Sequence, residues 1–229
     1  MISLRTLKLS AAACLLAAVT AIPGHRAAAD ALLDAAAGSE IQTVFGAYKA
    51  AIIENNGQEA LKLVSRNTIE YFERTRDLAL YGQPAEIQEH TLTDRLQIAH
   101  FRVRIPVETL KNFSAEQLFV YTAEHGWLGG NSISPVSLGE LSLDGDSAEA
   151  GALVNGQPVP FKVHFHREDG AWKLDLVALL AVGDSALHQR AEQSAITGDD
   201  LILRILSGAT GSEVTDSVWQ PLLARESGS

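Results

Sequence analysis

His164 and His166 stand two apart in the stretch Phe161-Lys162-Val163-His164-Phe165-His166, whose alternation of apolar and polar residues predicts a β-strand. Residues two apart on a strand share a face, so the two imidazoles form a His-x-His pair of the kind that begins a zinc site. A third ligand would have to come from a neighbouring strand, and Glu149 or Asp175 has the right parity. The same parity seats Lys162 between those carboxylates and Lys173 opposite His164, and two ammonium groups disfavour a bound cation. The expectation is a solvated face with a Glu149–Lys162–Asp175 charge ladder and no metal.

Other motifs dissolve in the same way. His125-Gly126-Trp127-Leu128-Gly129-Gly130 has the glycines of an oxyanion loop, but the chain contains no Gly-x-Ser-x-Gly nucleophile elbow, and Gly126 reads as a helix stop. Gly208-Ala209-Thr210-Gly211-Ser212 lacks the lysine of a phosphate loop. Asn112-Phe113-Ser114 is a glycosylation sequon whose Ser114 is better explained as a helix cap. No catalytic set can be assembled, and no motif calls for a cofactor. The remaining polar residues on semi-apolar stripes are Tyr48, Tyr71, Tyr81, His100 and Tyr121, with Trp172 on the sheet. They are candidates to line a pocket; the alternative for each is a core residue whose polar tip reaches a partner or water.

Composition narrows the class. The chain has 229 residues with 18 Lys+Arg against 28 Asp+Glu, a formal net charge of −10. Such a balance argues against nucleic acid and against electrostatic docking on anionic lipid. One cysteine permits neither an intramolecular disulfide nor a thiolate cluster.

Arg5 and Lys8, an uncharged run of 14 residues from Leu9 to Ile22, and Ala27-Ala28-Ala29 together have the layout of a secretory signal. Cleavage is expected before Asp30. The apolar run is short of the ~18–20 residues that span a bilayer, so no stable membrane anchor is expected. Ala11, where a lipoprotein would carry a large aliphatic residue, argues against lipidation of Cys14. Residues 1–29 contain Arg5, Lys8 and Arg26 and no acid, so the mature 200 residues carry 15 basic and 28 acidic groups, net −13. The expected location is the periplasm or the exterior.

The elements that must position these residues follow from periodicity. Residues 30–38 read as a loose Ala-rich leader, and Ser39-Glu40-Ile41-Gln42 as a capping box opening a helix through Ile53. A second helical stretch, with Ala60, Leu61, Val64, Ile69, Phe72 and Leu80 inward, ends at Gly82-Gln83-Pro84. Helical character continues to Gly126, with Thr91 or Thr93 as one cap and a capping box at Ser114 to Gln117. Three dipeptides then mark hairpin turns: Asp144-Gly145, Asn155-Gly156 and Asp169-Gly170. They predict four strands near 136–143, 146–154, 157–166 and 171–180, an antiparallel meander. Counting from Asn155-Gly156 sets Ala148 against Val163, and a four-residue last loop sets Phe165 against Trp172. One face then carries Ala148, Ala150, Ala152, Phe161, Val163, Phe165, Trp172, Leu174 and Leu176; the other carries Glu149, Lys162, His164, His166, Lys173 and Asp175. Helices are expected again over 185–193, 199–206 and 213–222, with a disordered tail over 224–229. The whole of 39–223 reads as one α+β domain.

A helical N-terminal half followed by LSLDGDSAEAGALVNGQPVPFKVHFHREDGAWKLDL resembles the nuclear transport factor 2-like superfamily, which includes the ketosteroid isomerases and SnoaL-like proteins. The likeness is strongest in the last hairpin, Phe161 to Phe165, the Glu-Asp-Gly turn, then Trp172-Lys173-Leu174-Asp175. It covers about 39–80 and 136–180, leaving 85–130 as a helical insertion and the C-terminal helices as additions. The resemblance implies a curved sheet wrapped around helices to form a cone with an interior pocket. It does not carry an activity, because the fold hosts enzymes and binding modules alike. The superfamily's catalytic acids and hydrogen-bond donors have no counterparts on the strands' inward face here. The reading is an exported non-catalytic binding module of unknown ligand, its partner a small apolar molecule or a protein. Its alternatives are a pocket enzyme of the isomerase type and a protein-interaction module using the outer sheet face or the insertion. A homodimer through the sheet is a further possibility that the resemblance implies.

Overall fold

Three hairpin turns build the sheet because each puts residues that tolerate positive φ where the turn requires it. Asn155 and Gly156 lie at φ 51° and 76°, and Asp169 and Gly170 at 52° and 82°, the mirror-image geometry that matches strand twist. Gly145 alone is positive in the first turn, at 58°. The computed structural model describes residues 23–225, and side chains from residue 34. The four strands, β1 (Val136–Asp144), β2 (Ser147–Val154), β3 (Gln157–Glu168) and β4 (Ala171–Asp175), form an open antiparallel meander in the order β1-β2-β3-β4.

Among the described residues, seven helices and a single turn of helix precede or border it: α1 (Pro23–Ile53), α2 (Gly57–Leu61), α3 (Arg66–Tyr81), α4 (Pro84–Gln88), α5 (Leu92–Arg104), α6 (Val107–Asn112), α7 (Ala115–Glu124) and the short α8 (Gly130–Ile133). After the sheet come α9 (Val177–Gln193), α10 (Gly198–Thr210) and a 3-10 turn over Asp216–Trp219. The protein is thus α+β. The chain divides into two compact units after Ala36, and the sheet, α2 to α10 and the core belong to the unit that begins at Ala37.

Of the nine residues expected on the inward sheet face, Ala148, Ala150, Ala152, Val163, Phe165, Trp172 and Leu174 are buried, while Phe161 is half-buried and Leu176 lies past the end of β4 and is half-buried. The register differs, and in both places by two residues. Val154 faces Gln157 as the turn dictates, but Ala148 faces Phe165 rather than Val163. Three residues of β3 between Pro158 and Lys162 stand against one of β2. Pro160 has no N–H to give the ladder, which is why the irregularity falls there. In the last hairpin the turn is only Asp169-Gly170, so Arg167 faces Trp172 and His164 faces Asp175. An even slip leaves every side chain on its face, so the pattern survives the wrong register.

Several local expectations are corrected. Ser39 caps nothing: α1 runs through it, and its carbonyl accepts the Thr43 hydroxyl at 2.8 Å. Residues 30–38 are helical rather than loose, in keeping with the high helix propensity of alanine. The second helical stretch is split between α2 and α3, because Val64 pairs with Leu174 and Ser65 donates its amide to the Leu174 carbonyl at 2.9 Å. The last strand stops at Asp175, and residues 177–180 begin α9. Asp175 Oδ1 accepts the Val177 amide at 2.9 Å, which starts the helix. In the C-terminal stretch, of the helix expected over 213–222 only Asp216–Trp219 is helical.

Other starts are as read: Thr91 accepts the Asp94 amide to open α5, and Ser114 and Gln117 form a reciprocal capping box on α7. Residues 85–130, which the sequence marks as an insertion, contribute Ile98, Phe101, Leu110, Leu118 and Phe119 to the same core as the sheet. Phe72 of α3 sits between Phe101 and Phe119, at ring separations of 6.3 and 5.3 Å. At the C-terminus Leu223 donates to the Leu80 carbonyl and Arg225 pairs with Glu86 at 2.9 Å, so these residues are held; 226–229 lie outside the described residues. The secretory signal falls mainly on residues 1–22, also outside them. No described helix is long and apolar enough to cross a membrane.

Candidate functional site

Leu176-Val177-Ala178-Leu179-Leu180-Ala181-Val182 is apolar on every side of the first two turns of α9, yet none of these residues is buried. Val182 is 37% exposed. Uninterrupted apolar residues normally mark a buried helix, so the cover here is incomplete. The reason is visible on both sides of α9, where the packing leaves cavities.

The first cavity, about 360 Å³, lies between α9 and the inward sheet face. Phe45 and Tyr48 of α1 line one side, Val136, Phe161 and Val163 of the sheet another, and Leu128 and Ile133 around α8 a third. Leu176, just before α9, and Leu179, Leu180 and Gly183 of α9 close it. Its polar groups are few: Tyr48, Thr93 and Ser132. Burial pushes the Tyr48 phenol well above its ordinary pKa, so it stays a neutral donor. No acid or base lines this space. Its volume falls within the ~300–1,000 Å³ of small-molecule sites.

The second cavity, about 390 Å³, lies on the other flank of Leu180 and has a different character. Tyr71, Arg74 and Thr75 of α3 face His90, Thr91 and Asp94 at the start of α5, with Val177, Leu180 and Ala181 of α9 as the apolar wall. The Tyr71 hydroxyl is buried, with Thr75 and Asp94 beside it and no partner in hydrogen-bonding geometry among the described residues. Burial, and then the nearby Asp94 carboxylate, raise its pKa.

The six pocket candidates read from sequence therefore do not converge. Tyr48 lines the apolar cavity, and Tyr71 the polar one. Tyr81 borders a separate surface cleft with Lys111 and Leu223. Trp172 is core, 3% exposed, with its indole N–H unpartnered. Only His100 and Tyr121 meet, around Trp127: His100 lies 4.5 Å and Tyr121 5.6 Å from its ring, and Arg104 stands over it at 5.0 Å. Burial, and then the Arg104 charge, lower the His100 pKa to about 4. Arg74, His90 and Asp94 carry no signal in the sequence, because α3 and α5 bring them together only by packing.

The outer sheet face differs from the expected ladder. Lys162 pairs with Glu149, but Asp175 is buried rather than solvated. It lies across from His164 and accepts from Asn67 at 2.9 Å and from His166 Nε2 at 3.2 Å. Lys173 stands across from His166, not His164. Among the described residues no group of three His, Cys, Asp or Glu side chains is placed to hold a metal ion. Ser147 Oγ lies 3.4 Å from His166 Nδ1, so Ser147, His166 and Asp175 line up as a relay. The hollow beside Ser147 is lined by Asp144 and Glu149, which would oppose an oxyanion rather than stabilise one.

Compared with models of known protein families, with curated proteins and with solved structures, the chain matches none.

Proposed function

We propose that this is an exported, non-catalytic binding module with a nuclear transport factor 2-like cone, holding a small apolar ligand between α1, the sheet and α9. The observation that carries the reading is the apolar start of α9, seven residues without full cover beside an apolar cavity. A ligand there removes apolar surface from water, worth roughly 25 cal/mol per Å² covered. The lining's one titratable group is the Tyr48 phenol, held neutral by burial, and it has no carboxylate or imidazole to act as acid or base, which favours binding over turnover. The basic start, apolar run and Ala27–Ala29 support export.

Titration with N-phenyl-1-naphthylamine, whose fluorescence rises in apolar surroundings, tests the reading. The wild-type protein binds it with a micromolar Kd, and Leu179→Asp weakens binding at least tenfold while keeping the native circular dichroism. No binding, or equal binding by the variant, overturns it. A second reading, an interaction module using the 85–130 region, is favoured by the half-exposed cluster of His100, Tyr121 and Trp127.

A further inference from the structure

We propose that the apolar cavity takes an uncharged ligand with a hydrogen-bond-accepting oxygen, an ester or an ether, and that this oxygen goes in first, to the Tyr48 phenol. This rests on the apolar-ligand reading above and concerns that one cavity.

The lining is graded in depth. Phe45, Tyr48 and Val163 are buried and form the floor, whereas Ser132 and Val182 are exposed and mark the mouth. Tyr48, 2% exposed, is the one buried lining residue with a polar side chain. Its hydroxyl makes no hydrogen bond among the described residues, and burial alone, with no bonded or charged neighbour, raises its pKa. Nor is that oxygen sealed off, as the orphaned polar atoms of Tyr71 and Trp172 are. Folded proteins pair nearly all buried hydroxyls, so an open and unpartnered one at the floor of a cavity marks a place for a ligand atom. The other two hydroxyls of the lining differ. That of Thr93 is given to the Leu180 carbonyl at 3.3 Å, and that of Ser132 stands at the mouth, where solvent reaches it.

The same floor disfavours a charge. The lining has no Lys, Arg, His, Asp or Glu, so a carboxylate or an ammonium brought to Tyr48 would be buried unpaired. The ammonium of the adjacent Lys49 is held by the Val136 carbonyl at 2.8 Å. A hydrocarbon would fill the space but leave the phenol without an acceptor, and an ester or ether oxygen supplies one without adding a donor that needs its own partner. The apolar remainder then lies towards the mouth against Leu179 and Val182, where α9 lacks cover.

Displacement of N-phenyl-1-naphthylamine by methyl octanoate and by octanoate at pH 8, each below its solubility or micelle limit, tests the assignment. The wild-type protein should bind the ester at least tenfold more tightly than the anion. In Tyr48→Phe the ratio of Kd for the naphthylamine to Kd for methyl octanoate should fall at least fivefold, and in Ser132→Ala by a smaller factor. Tyr48→Phe should also melt no lower than wild type when empty, since the hydroxyl it removes is unpartnered. An unchanged ratio in Tyr48→Phe, or tighter binding of octanoate than of its ester, overturns the assignment and leaves the apolar cavity standing. A fall in Ser132→Ala as large as in Tyr48→Phe places the oxygen at the mouth and overturns it too. Failure of the naphthylamine to bind wild type removes the apolar reading and this inference with it.

Discussion

The Asp184 carboxylate of α9 accepts the Leu92 amide of α5 at 2.7 Å and the Thr93 amide at 3.4 Å. A helix start leaves four amides without partners. Thr91 takes that of Asp94, and Asp184 takes the two before it, adding a negative charge at the positive end of the dipole. Thr93 returns a hydroxyl bond to the Leu180 carbonyl at 3.3 Å. This exchange fixes α9 against α5 beside both cavities. Asp184→Ala should lose about 1–2 kcal/mol in urea unfolding, the usual cost of a missing cap, and Asp184→Asn less than half of that. A loss below about 0.3 kcal/mol in Asp184→Ala would show that the cap contributes nothing.

Arg102 is 8% exposed and has no carboxylate partner among the described residues. Its guanidinium donates instead to four carbonyls, those of Leu78, Ala79 and Gly82 at the end of α3 and that of Val218 in the C-terminal turn, all at 2.8–2.9 Å. Burial lowers its pKa to about 10. Arg102→Leu strands several acceptors at once, so it should cost about 3 kcal/mol or more. Because Val218 is one of them, limited proteolysis should cut the variant first near residues 216–222. Intact C-terminal residues under conditions that leave the rest folded would contradict the clamp.

His100 gives the clearest pH dependence. Its folded pKa, about 4, lies below the ordinary 6.5, so between these values the unfolded chain binds more protons. Stability from this group therefore rises with pH through that window and is lost as pH falls from 6.5 to 4. The full shift corresponds to about 3 kcal/mol, and partial solvent access to the ring reduces it to about 1–2. Imidazole NMR should report a midpoint under 5, and His100→Phe should flatten the unfolding free energy between pH 4 and 6.5. A midpoint near 6.5 would mean that the ring is solvated.

How far the sequence was legible is set by which signals are local. Asn155-Gly156 and Asp169-Gly170 announce their turns because few other residues accept positive φ, and the strand period of two then sorts Phe165 inward and His164 outward whatever the register. The two-residue slip at Pro160 depends on a missing donor inside a strand, which alternation does not weigh. Leu176 to Leu180 reads as more strand because a short apolar run looks alike in both states; the Val177 amide bound by Asp175 decides it. For the site, residue type misled more than position. Polar groups on apolar stripes point to interfaces between elements in general, which is where Tyr81, Tyr121 and Trp172 sit. The apolar cavity is lined by leucine, valine and phenylalanine, which nothing in their chemistry distinguishes from core.

Export rests on the first 29 residues alone. If the signal directs secretion, the exported protein begins at Asp30, and Met1 and Cys14 leave with the peptide. Such a chain carries no thiol or thioether to oxidise. N-terminal sequencing of exported protein checks this, and a start at Met1 or at Cys14 would reverse it.

His164 and His166 provide the last test, since their spacing suggests zinc while their partners do not. His166 Nε2 is spent on Asp175 at 3.2 Å, and His164 lies 3.7 Å from a Glu149 carboxylate that Lys162 already pairs. A zinc site needs three or four converging ligands, and here the Glu149 carboxylate is taken by the Lys162 ammonium and Asp175 by Asn67. Replacing both histidines with Gln keeps a donor near Asp175, which Asn67 and the Val177 amide continue to hold. The double variant should lose less than about 1 kcal/mol, as for other exposed pairs, and added zinc should shift neither protein's melting temperature. A metal bound only by the native state at 100 times its Kd adds ~2.7 kcal/mol. A zinc-dependent rise of that size in the wild type, absent in the double variant, would make the outer sheet face a metal site.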